Sequence, residues 1–96
     1  MKEQNYAYPL DSDWSISEME TVIAFWRAVE DAYEAGIGRQ VFLDRYRDFK
    51  TVVPSKMGEK QLWRQFAQAS GYEAYPVLKR ARESQAKFIS VVGDEK

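Results

Sequence analysis

From residue 16 onward, apolar residues recur at steps of three and four, with polar residues filling the positions between them. Met19, Val22, Ile23, Trp26, Val29 and Tyr33 mark one face of a first helix over 16–35, the spacing an amphipathic helix requires. Phe25, Ala28 and Ala32 widen that stripe, so this helix is expected to meet neighbours on two sides. Gly36 stands where a left-handed residue follows a C-cap, with Ile37 placed to fold back on Ala32. A second helix over 39–52 turns Phe42, Leu43, Tyr46, Phe49 and Val53 inward, and Pro54 ends it by disfavouring helical geometry at Val53. Ser55 caps a third helix over 56–70, with Met57, Leu62, Trp63, Phe66 and Ala69 inward and Gly71 at its end. A fourth helix is expected over 73–87. It tolerates Pro76 in its first turn, faces Tyr75, Leu78 and Ala81 inward, and gains a Glu83–Lys87 pair on its outer face. The apolar run 88–92 either prolongs this helix or forms a tail. The pattern shows no hairpin signal, internal repeat or low-complexity segment. It predicts an all-α chain, a compact four-helix array forming one domain over 1–96, with residues 1–5 and about 88–96 flexible.

The stretch "PLDSDWSISEME" sets Asp11, Asp13 and Ser15 at alternate positions, as a calcium loop does. Such a loop needs glycine at its sixth position and a bidentate glutamate at its twelfth. Ile16 and Val22 stand there instead. Helix initiation fits better, because Ser15 and Glu18 have the spacing of a capping box and Trp14 and Met19 that of a hydrophobic staple. Ahead of it, Tyr6-Ala7-Tyr8-Pro9-Leu10 is too aromatic for a solvated tail. It is expected to be an extended strap that lays Tyr6, Tyr8 or Leu10 over the bundle.

Composition narrows the chemistry. The 96 residues contain neither cysteine nor histidine, which removes disulfides, thiolate ligands, and the commonest general base and metal ligand. No catalytic residue, metal ligand or cofactor site is expected, and the chain is not read as an enzyme. Residues 1–5 carry no apolar run of a signal peptide, and no stretch approaches the length of a membrane span. A cytoplasmic chain, with no membrane partner, is the expectation.

Charge is unevenly placed. Residues 1–35 hold two basic and eight acidic side chains, whereas 36–96 hold twelve and seven. Glu30, Asp31 and Glu34 crowd negative charge at the negative end of the first helix, which calls for a nearby cation. Arg27 and Arg39 are the intramolecular candidates; failing them, the cluster is a docking surface for a basic partner. Tyr72 and Tyr75, beside Gly71, are candidates for the same role, flanking a groove with Tyr6 and Tyr8. On the third helix, Lys56, Lys60 and Arg64 share one face, with Gln61, Gln65 and Gln68 nearby, as a nucleic-acid interface requires.

The segments "YPLDSDWS", "VIAFWRAVEDAYEAGI", "RYRDFKTVVPSK", "EKQLWRQFAQASGY" and "LKRA", in this order and spacing, resemble the YktA-like family of small uncharacterised proteins from low-GC Gram-positive bacteria. The resemblance covers about residues 6 to 82. It implies a compact all-helical fold, and it brings no activity, cofactor or site residue with it. The expectation is a protein-interaction or adaptor module, monomeric or weakly dimeric, using Glu30, Asp31, Glu34, Tyr72 and Tyr75 toward an unidentified protein partner. The alternative is a nucleic-acid-binding protein using Lys56, Lys60 and Arg64.

Overall fold

The Ser15 hydroxyl accepts the Glu18 amide at 3.1 Å, and the Glu18 carboxylate accepts the Ser15 amide at 2.9 Å. This reciprocal capping box opens the first helix in the computed structural model, which describes residues 6–91. Helix α1 runs Ile16–Glu34, α2 Arg39–Val52, α3 Lys56–Ser70 and α4 Ala74–Glu83. Asp11 belongs to the turn before α1, where its side chain accepts the Asp13 amide at 2.9 Å. Ser55 caps α3 through the Gly58 amide at 3.0 Å. The chain is therefore predominantly helical, with four helices among the described residues, as the periodicity predicts.

Val22, Phe25, Trp26, Val29, Phe42, Phe49, Phe66 and Val77 are fully buried. Phe25 lies at their centre, stacked on Phe49 with ring centroids 4.7 Å apart and touching Trp26, Phe42, Tyr46 and Trp63. Helix α1 packs along α2 and also meets α4, which explains its wide apolar stripe. Helix α3 keeps its backbone farther from the other helices and docks through large rings. Trp26 stacks on Phe66 at 4.5 Å and 11°. The strap lies over this seam, with Tyr6 and Tyr8 each about one ring-width from Phe66 and the Trp26 indole donating to the Pro9 carbonyl at 3.1 Å.

The fourth helix stops at Glu83, four residues short of the sequence expectation. Ser84 adopts extended geometry, and its hydroxyl accepts the Ala86 amide at 2.9 Å, turning the chain. Lys87 is thus off the helix, and the expected Glu83–Lys87 pair has no helical register to form in. The run from 88 is neither helix nor loose tail. Phe88–Ile89 forms strand β2, antiparallel to β1 at Ile37–Gly38, with Ile37 opposite Ile89. The reason is backbone satisfaction. The last carbonyls of a helix lack intrahelical donors, and the Val91 amide reaches the Ala32 carbonyl at 3.0 Å while Gly36 and Ala35 bond that of Asp31. The Lys87 carbonyl in turn accepts the Arg39 amide at the start of α2. Ile89 and Val91 are buried by this arrangement, and Phe88 alone of the described run stays exposed, at 61%. Residues 1–5 and 92–96, expected to be flexible, lie outside the described residues.

Two other expectations fail for one reason. Met57 is 72% exposed and Ala69 is exposed, whereas Glu59 is buried. The inner stripe of α3 passes through Glu59, Leu62, Trp63 and Phe66; Met57, two residues before Glu59, falls off it, and past Phe66 it drifts to Ala67 and Ser70, leaving Ala69 outside.

Gly36 takes φ +101°, and a Cβ there meets the Phe88 ring at 2.6 Å and the Ile89 carbonyl at 3.2 Å. Gly71, at φ +83°, has open space around the same position. Gly71→Ala is expected to cost about 1 kcal/mol, the left-handed strain of a side-chain-bearing residue. Gly36→Ala is expected to cost about 1 kcal/mol more, because it also loosens the β1–β2 pairing. Urea denaturation of both variants measures the difference, and equal losses contradict the close approach.

Candidate functional site

Two carboxylates are buried among the described residues, and their partners define what is left for a site. Glu30, on α1, is 8% exposed. It accepts the Tyr6 hydroxyl at 2.5 Å and the Tyr8 hydroxyl at 3.0 Å. The answer to crowded negative charge thus includes two hydroxyls of the strap. Burial, and then the bond to Glu30, push the Tyr6 and Tyr8 hydroxyls above the ordinary tyrosine range, with Arg27 opposing the shift at Tyr8. Arg39, the other expected cation, donates from Nε to the Ala81 carbonyl at 2.7 Å. Asp31 is exposed, and its carboxyl is raised above the usual range by burial of its surroundings and by the charges of Glu30 and Glu34.

Glu34 accepts the Tyr72 hydroxyl at 2.6 Å, and the Tyr72 ring stacks on Tyr33 at 4.7 Å. Tyr33 donates to the Glu73 carbonyl at 2.9 Å, so this cluster ties the end of α1 to the α3–α4 connection. The candidate partner surface is therefore divided. Glu30, Glu34 and Tyr72 are engaged within the fold, and burial removes Glu30 from any docking face. Tyr6 and Tyr8 pack on Phe66. Tyr75, expected to point inward, is 56% exposed on α4 and belongs to another face.

That face lies between α3 and α4. Lys56, Lys60 and Arg64 are exposed along α3, one turn apart. A hollow of about 500 Å³ is lined by Lys60, Trp63, Arg64, Glu73 and Tyr75, among others. A second, of about 240 Å³ and more enclosed, is lined by Tyr46, Lys56, Glu59, Lys60, Trp63, Tyr75, Leu78 and Arg82. Trp63 and Lys60 belong to both. The indole N–H of Trp63 is buried and is the one such side-chain polar atom without a hydrogen-bond partner among the described residues. An unmade hydrogen bond of this kind costs about 1–3 kcal/mol.

Sequence reasoning missed Glu59, which shapes the smaller hollow. It is 5% exposed, paired with the Lys50 ammonium at 2.9 Å and with the Tyr46 hydroxyl at 3.0 Å. The Arg82 guanidinium lies 5.6 Å from the centre of the Tyr46 ring, a cation–π arrangement. Burial, then the bond to Glu59, raise the Tyr46 hydroxyl above its ordinary range. The available signal was spacing, since Glu59 precedes Leu62, Trp63 and Phe66 by three, four and seven residues. A wider hollow between α1 and α2 sets Glu20 and Asp31 against Arg27 and Arg45, so its charges cancel. The α3–α4 face has no such balance: Glu59 is already neutralised by Lys50, leaving four cations against Glu73 alone. No group of three residues able to hold a metal ion occurs among the described residues, and no described helix is long and apolar enough to cross a membrane.

A tyrosine favoured in its neutral form by the fold contributes stability that is complete below the unfolded tyrosine range and lost progressively as pH climbs from about 10 toward the higher folded value. Ultraviolet titration is expected to show tyrosines ionising late and together with alkaline unfolding. Tyr6→Phe with Tyr8→Phe removes part of that late fraction and costs about 1–3 kcal/mol at neutral pH, because Glu30 stays buried. A double variant as stable as the parent contradicts the account. For Glu59, Lys50→Met is expected to cost about 2 kcal/mol, and adding Glu59→Leu to recover most of it, since the penalty lies in the uncompensated charge. Chemical denaturation of the single and double variants reads both.

The comparisons agree with this small, compact design. Residues 5–90 match the model of the uncharacterised protein family UPF0223. A UPF0223 protein of Lactococcus lactis subsp. cremoris is 51% identical over 90 residues, covering 94% of this chain and 96% of its own. One from Lysinibacillus sphaericus is 46% identical over 79 residues, covering 82% and 83%. One from Streptococcus thermophilus is 43% identical over 91 residues, covering 95% and 98%. These relatives come from the low-GC Gram-positive bacteria to which the sequence resemblance pointed. With the match running from the strap through β2, this chain belongs to the UPF0223 family.

Proposed function

We propose that the chain is a protein-recognition module, binding rather than catalytic, and that it engages an extended acidic segment of a partner through the α3–α4 face. The observation that carries this reading is the line of Lys56, Lys60 and Arg64 beside two hollows walled by Trp63 and Tyr75. Residues four apart on a helix rise about 6 Å, close to the roughly 6.8 Å between alternate side chains of an extended chain. Acidic residues at alternate positions therefore meet successive cations. An exposed tyrosine and a half-buried tryptophan beside cations suit a protein interface, where aromatic and basic side chains supply most anchors. Four cations make a short footprint for nucleic acid, whose affinity grows with the number of phosphates neutralised.

Lys60→Glu with Arg64→Glu tests the reading, because both side chains are exposed and the fold does not use them. Affinity capture from a lysate of the source cell, with and without nuclease, is paired with cross-linking to locate the captured segment. The parent chain is expected to retain an acidic segment after nuclease treatment. The double variant is expected to lose it by about tenfold or more at unchanged melting temperature. Capture that requires intact nucleic acid, or that survives charge reversal, contradicts the reading.

A further inference from the structure

The smaller hollow sits between Lys56 and Lys60 and opposite Tyr75, Leu78 and Arg82 of α4. At about 240 Å³ it falls below the range of pockets that hold drug-sized ligands, and it suits a single ring. Its walls combine the faces of Trp63 and Tyr75 with the aliphatic Leu78, a surface onto which an aromatic ring packs. Lys56, Lys60 and Arg82 supply its cations, and Glu59, the one carboxylate in its wall, is already paired with Lys50 and Tyr46. Arg82 is oriented by the Tyr46 ring beneath it, so its remaining donors are presented with little loss of freedom. Ring-sized apolar walls with an excess of donors call for an aromatic group flanked by carboxylates.

We infer that this hollow is the anchor subsite for an aromatic side chain of the acidic partner segment, with its ring against Trp63 and Tyr75, the flanking carboxylates on Lys56 and Lys60, and an acceptor of the segment within reach of Arg82. The inference rests on the recognition role proposed for the α3–α4 face. In an extended segment, alternate side chains face one wall and the intervening one leaves toward the other. Two acidic residues meeting α3 therefore send the residue between them toward α4, where the hollow opens.

Three capped tripeptides separate the contributions: Glu-Tyr-Glu carries ring and charge, Gln-Tyr-Gln the ring alone, and Glu-Ala-Glu the charge alone. Each is titrated into the full ¹⁵N-labelled chain, following the Trp63 indole N–H resonance, which is assigned by Trp63→Phe. Glu-Tyr-Glu is expected to shift that resonance saturably and to bind about tenfold or more tightly than either control. Tyr75→Ala and Arg82→Gln, both at exposed positions, are each expected to weaken it several-fold with melting temperature unchanged. If Glu-Ala-Glu binds as well as Glu-Tyr-Glu, the anchor subsite is refuted while the acidic-segment reading stands. If Gln-Tyr-Gln binds equally, or none of the three binds, both are refuted.

Discussion

The pairing of Glu59 with Lys50 and Tyr46 is the constraint on which the arrangement of α3 depends. Taking a carboxylate out of water is expensive unless a counter-charge and hydrogen-bond donors are held against it. Here the ammonium and a tyrosine hydroxyl come from successive turns of α2. Helix α3 does not approach the other helices closely by its backbone, and its apolar docking runs through Trp63 and Phe66, rings that tolerate some sliding. A charge pair with fixed geometry limits that sliding. It therefore also fixes the α2 and α3 walls of the smaller hollow, since Glu59, Tyr46 and Trp63 all line it.

A second buried carboxylate is met differently. Glu30 takes hydroxyls from Tyr6 and Tyr8, which closes the strap over the Trp26–Phe66 stack. Glu34 takes Tyr72 in the same manner. Two of the eight acidic side chains of residues 1–35, Glu30 and Glu34, thus hold the strap and the α3–α4 connection. Of the cations of residues 36–96, Lys50 and Arg39 are likewise engaged within the fold, whereas Lys56, Lys60, Arg64 and Arg82 are exposed on α3 and α4.

Much of the fold is legible from residue spacing because its signals are local. Ser15 and Glu18 cap within one turn, Gly36 and Gly71 adopt the positive φ that ends a helix, and Pro54 separates α2 from α3. What spacing hides is tertiary. A two-residue strand such as Phe88–Ile89 has no periodicity and exists because β1 and the open end of α1 offer backbone partners some fifty residues away. Glu30 looked available for docking because its tyrosine partners lie 24 and 22 residues upstream. Treating charge as outward by default concealed Glu59, although its place on the α3 stripe was in view. The basic face of α3 was legible as a row of cations. Its aromatic walls were not, because Tyr75 and Arg82 join it only when α4 packs alongside.

The proposed recognition role belongs to the α3–α4 face, whereas Glu30 and Glu34 at the acidic end of α1 are engaged within the fold. Hydrogen–deuterium exchange of the full chain, free and bound to the partner it captures, tests this most directly. The account predicts new protection along residues 56–64 and 74–82, with exchange at residues 30–34 unchanged. Protection gained at residues 30–34, with α3 and α4 unaffected, would contradict it.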